Sequence, residues 1–72
     1  MAYIAASRAP DGSRGASSFT DREEALAAGK SFSPGLVVVS DLDSSEWWIF
    51  RDGVEITGDE AAEAVMEFQR AG

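Results

Sequence analysis

Apolar residues recur along this chain with two different periods. At the start, AYIAAS alternates, with Tyr3 and Ala5 on one side of an extended segment and Ile4 and Ala6 on the other. LVVVSDL, from Leu36, is continuous and β-branched, the strongest strand signal in the chain and one that reads as central. WWIFR alternates again: Trp47, Ile49 and Arg51 share one face, Trp48 and Phe50 the other. VEI, from Val54, reads as a short fourth strand. Two segments follow the helical period instead. Ala25, Leu26 and Ala28 make a narrow apolar face, with Phe19 anchoring the start of that helix. Ala61, Val65 and Phe68, with Ala62 and Met66 beside them, make a fuller stripe.

The segment ends agree with these periods. Thr20 and Glu23 have capping-box spacing, as do Thr57 and Glu60. Gly29 is a natural helix stop, and Lys30 suits a helix C-terminus. APDGSRGASS reads as a flexible loop, and Asp52-Gly53 as a type I′ hairpin turn. The order is strand, helix, strand, strand, short strand, helix. It predicts one α+β domain over residues 1–72: an antiparallel sheet of three to four strands with two helices packed on one face.

At 72 residues the chain has room for one thin core. It contains neither cysteine nor histidine, which removes disulfides, thiolate metal sites and the commonest general base. No apolar run reaches a membrane-spanning length, and MAYIAASRAP lacks the pattern of a signal peptide, so a cytoplasmic protein is expected. The net charge is −7 and unevenly placed. Residues 1–40 carry four side chains of each sign; residues 41–72 carry nine acidic and two basic ones. Such a half repels phosphate backbones and favours basic protein partners, so no direct nucleic-acid binding is expected.

LVVVSDLDSS resembles the nucleophile loop of the haloacid dehalogenase phosphotransferases, where two aspartates follow a buried strand. The resemblance ends at DSSEWW, and the doubly wound sheet of that family does not fit in 72 residues. The simpler expectation is that Asp41 and Asp43 close a strand and bond nearby backbone amides. Asp41, Asp43 and Ser45 also match the first positions of a calcium loop, but Glu46 stands where glycine is required and the flanks read as strands. Arg51-Asp52-Gly53 has no other kinase part around it, and GSRG has no P-loop spacing. No enzyme, metal site or cofactor is expected.

Two features suit protein binding. Adjacent tryptophans point to opposite faces of a strand, so one of Trp47 and Trp48 leaves the core as a potential interface anchor. Glu60, Glu63 and Glu67 share a helix face beside Asp59, and with Asp41, Asp43 and Glu46 they make the C-terminal half acidic. The element order, the AYIAAS strand, the REEALAAG helix and the GLVVVSDLDSSEWWIF hairpin, is similar to that of small phage-encoded inhibitors of the anti-CRISPR type. That similarity implies stoichiometric inhibition of a CRISPR effector or another nucleic-acid enzyme by occlusion of its basic surface, the inhibitor mimicking DNA. The expected site is therefore Asp41, Asp43, Glu46, Trp47, Trp48, Asp59, Glu60, Glu63 and Glu67, on a monomer or homodimer. The alternative is a homo-oligomeric assembly module that pairs through AYIAAS as an edge strand.

Overall fold

The computed structural model describes residues 2–70. Its elements are β1 (Tyr3–Arg8), β2 (Arg14–Phe19), α1 (Arg22–Ser31), β3 (Leu36–Asp41), β4 (Trp47–Arg51), β5 (Val54–Ile56) and α2 (Gly58–Arg70). The strands form one sheet in the order β2-β1-β3-β4-β5, and every neighbouring pair is antiparallel. The α+β class, the antiparallel sheet and both helices are as the periodicity predicts. The sheet gains a fifth strand, β2, which takes up the second half of the expected loop and also Phe19, expected to anchor the helix entry.

β1 and β2 form a hairpin. Its turn is closed by the Ala9 amide donating to the Ser13 carbonyl at 2.8 Å and the Ser13 amide donating to Asp11 Oδ1 at 2.8 Å. RGASSF offers almost no apolar side chain except Phe19, so its pairing with β1 rests mainly on backbone hydrogen bonds. β1 therefore has partners on both sides. The edges of the sheet are β2 and β5, which corrects the expectation of an open edge at AYIAAS.

The helices do not share a face, a second difference from the expected arrangement. Successive residues of β3 alternate between two cores. Val37 and Val39 join Tyr3, Ala5, Phe50 and Ala25 beneath α1, with Phe19, Leu26, Phe32 and Trp48 at the margin. Leu36 joins Ile49, Ala61 and Ala64 beneath α2, with Val38, Ile56, Val65 and Phe68 at the margin. The physical cause is the unbroken LVVV run: a strand apolar on both faces must be covered on both. Phe50, at 1% exposure, is the largest side chain that is fully buried, and such burial contributes about 1.5–3 kcal/mol.

Local details differ in instructive ways. The N-cap of α1 is Asp21 rather than Thr20, and its side chain accepts from the Glu23 amide. Gly29 does not stop α1, which runs on to Ser31. It is buried because the Phe50 ring lies where a side chain would start: a Cβ would stand 2.6 Å from Phe50 Cδ1. The Asp52-Gly53 turn has positive φ at both residues, 53° and 83°, as a type I′ turn requires. On α2 the buried stripe is Ala61, Ala64, Val65 and Phe68, while Ala62 and Met66 face outward. Among the described residues no helix is long and apolar enough to cross a membrane.

Candidate partner-binding surface

The turn between β3 and β4 orders the first three acidic residues of the expected site. Asp41 is 8% exposed and accepts the amides of Asp43 at 2.9 Å and Ser44 at 3.3 Å. The Asp43 amide, foremost, holds the Asp41 carboxyl below its usual range; Ser44 and the nearby Arg22 guanidinium act in the same direction, against the effect of burial. Asp43 Oδ2 accepts the Ala2 amide at 3.1 Å, and the Leu42 amide donates to the Ala2 carbonyl at 2.9 Å. These two aspartates therefore build the turn and tie the start of β1 to it, as the turn reading of SDLDSS anticipates. Glu46 remains exposed at the end of the turn, where its amide donates to Ser44 Oγ at 3.4 Å.

The two tryptophans separate by face. Trp48 is half-buried at the margin of the α1 core, with the Arg22 guanidinium 4.9 Å from its ring. That cation–π contact is worth about 0.5–1 kcal/mol at such a site. Trp47 stands on the α2 face and is 48% exposed. Shallow grooves run on either side of the indole. One, of about 440 Å³, is lined by Val38, Leu42, Glu46, Val65 and Gln69; the other, of about 300 Å³, by Ile56, Glu55, Ala61 and Ala62. Leu42 is itself 58% exposed, so an aliphatic and an aromatic side chain stand free on one rim.

The acidic helix stripe lies elsewhere. At 100° per residue, Glu60, Glu63 and Glu67 point about 140–160° around the α2 axis from Val65, which lines the Trp47 groove. Glu67 turns to Arg51, with Glu67 Oε1 3.3 Å from Arg51 Nη2. Asp59 and Glu60 occupy the first turn of α2, where negative charge complements the helix dipole. The structure thus joins Glu46 and Trp47 into one surface, commits Asp41 and Asp43 to the turn, seats Trp48 against the core, and carries Asp59, Glu60, Glu63 and Glu67 on the far side of α2.

Leu42, Glu55, Val65 and Gln69 belong to this surface and escaped the reading of the sequence. Leu42 left a signal: an aliphatic residue between two turn aspartates has no core to enter. The other three left none, because their place depends on which face α2 covers. No protein family, curated protein or solved structure matches the chain.

Proposed function

We propose that this protein is a non-catalytic binding module that docks a basic protein partner through the surface around Trp47. The observation that carries the reading is the half-exposed indole, bordered by exposed Leu42 and by two grooves whose flanks bear Glu46 and Glu55. An aromatic anchor within an apolar patch and a charged rim is the usual make-up of an interaction hot spot. The chain's charge of −7 adds long-range attraction for a basic surface. A nucleic-acid-handling enzyme is a partner of this kind, and a CRISPR effector would be one instance. The element order behind the anti-CRISPR similarity is interrupted by β2, so the proposal rests on partner chemistry and not on that similarity.

The test is affinity capture from bacterial lysate at low salt, comparing wild type with Trp47→Ala, Glu46→Lys/Glu55→Lys and Glu60→Lys/Glu63→Lys. A stoichiometric basic protein should be held by wild type, released by a salt step, and lost with Trp47→Ala. Glu46→Lys/Glu55→Lys should weaken capture more than Glu60→Lys/Glu63→Lys, which acts only at long range. Trp48→Ala serves as the stability control. It should cost about 2–4 kcal/mol as a partial core truncation, while Trp47→Ala costs far less. Identical capture by wild type and Trp47→Ala would end this reading.

A second reading keeps one observation in its favour. β2 is an edge strand of small exposed residues, with no proline and no bulge to blunt it. Pairing of two copies through β2 would make the chain an assembly module. Recovery of only the protein itself, unaffected by salt, would favour it.

A further inference from the structure

The end of the sheet away from Trp47 carries a row of arginines. Arg14, Arg8, Leu36 and Arg51 are consecutive partners across β2, β1, β3 and β4, so their side chains rise on one face. That face is the one covered by α2. Arg14 Nη2 donates to the Phe68 carbonyl at 3.3 Å, and its guanidinium lies 5.6 Å from the Phe68 ring. Arg51 pairs with Glu67. The side chain of Arg8, in the middle, makes no hydrogen bond or ion pair among the described residues, and its Nε is buried without an acceptor. Like charges directly opposite on neighbouring strands are unfavourable, and Arg8 faces Arg14. In a protein of net charge −7, with thirteen acidic side chains, the central arginine of this row has no carboxylate of its own among the described residues.

Arg8 borders a pocket of about 370 Å³. Ala9, Pro10, Pro34 and Leu36 give it apolar walls, and Arg51 stands opposite. Two carboxylates also reach the rim, and both are engaged: Glu67 by Arg51, and Asp52 through Oδ1, which accepts the Gly35 amide at 2.9 Å. One unmatched positive charge therefore meets an open pocket of mixed lining, with apolar surface on one side, while Asp52 opposes a multiply charged guest.

We propose that this pocket binds a small monocarboxylate with an apolar body, its carboxylate taken by the Arg8 guanidinium and its body set against Pro10, Pro34 and Leu36. A guanidinium fork matches a carboxylate's two oxygens, and charge-assisted bonds of this kind are the strong ones. The site is independent of the Trp47 surface, which lies at the other end of β4.

Amide NMR of the full chain at low salt tests it, with benzoate as the probe and benzyl alcohol and inorganic phosphate as controls. Benzoate should shift the amides of Ala9, Gly35, Leu36 and Asp52 saturably, and benzyl alcohol should not. Arg8→Gln should weaken benzoate by about tenfold or more with the remaining spectrum native. Glu67→Gln removes a carboxylate from the rim and frees Arg51, so it should tighten benzoate severalfold, and it decides the matter if Arg8→Gln does not fold. Equal shifts with benzyl alcohol, binding untouched by Arg8→Gln, no gain in Glu67→Gln, or phosphate bound as tightly as benzoate would each overturn the assignment.

Discussion

Asp41 ends the central strand with its side chain turned back on the turn that follows, and that geometry makes its charge a stability term. The Asp43 and Ser44 amides favour the carboxylate, so its folded pKa lies below the unfolded one. The unfolded chain then binds the proton more readily. The stabilisation is present above the ordinary carboxylate range and is lost as pH falls through the depressed folded value. Asp11, held low by the Ser13 amide in the β1–β2 turn, acts with the same sign. Asp41→Ala should therefore lower the thermal midpoint at neutral pH, and its deficit against wild type should shrink on acidification. Melting curves from pH 7 to pH 2 check this. A deficit that stays constant would assign the role of Asp41 to packing and remove the charge from the account.

The strands differ in what holds them, and this sets an order of local stability. β3 is paired on both sides and covered on both faces; Val39 on one face and Leu36 on the other are 0% and 3% exposed. β2 has one neighbour and a nearly fully exposed run of small residues, and β5 is three residues long at the other edge. Hydrogen exchange of backbone amides should be slowest in β3 and β4, faster in α1 and α2, and fastest in β2 and β5. Protection of β2 equal to that of β3 would mean that its outer edge is covered in solution, as pairing of two copies through β2 requires. The same contrast explains what the sequence made legible. β3, β4, the Asp52-Gly53 turn and both helices are carried by side chains and could be read. β2 is carried by backbone bonds, and RGASSF has no pattern to find. That the helices lie on opposite faces was encoded in the continuous LVVV run, whose lack of alternation demands two covers. Gly29 reads as a stop until Phe50 is seen against it. At the binding surface, tryptophans on opposite faces were legible from strand period alone. The separation of the acidic helix stripe from Trp47 was not, because it depends on the rotation of α2 about its axis.

At the scale of the whole molecule, size and charge combine. The radius of gyration is 11.1 Å and the longest extent 30 Å. At 0.01 M ionic strength the screening length is about 30 Å, so every charge on the molecule feels every other. At 0.15 M it is about 8 Å, shorter than the radius of gyration. Thirteen acidic and six basic side chains on so small a body repel one another on balance, and that repulsion opposes the compact state. The cores that resist it are thin: among the described residues, six buried side chains make up the cluster between α1 and the sheet and four that between α2 and the sheet. The Arg51–Glu67 pair is solvent-exposed and adds at most about 1 kcal/mol. Sodium chloride should therefore raise the thermal midpoint, with most of the rise between 10 and 150 mM and little beyond. Docking to a basic partner should move the other way over the same range, because the charge that strains the fold attracts the partner. Measuring both quantities along one salt series separates the two roles. A midpoint that falls with salt would show that local ion pairs outweigh the net repulsion. Binding that ignores salt would leave the Trp47 patch to act by apolar contact alone, with the acidic half of the chain playing no part in recognition.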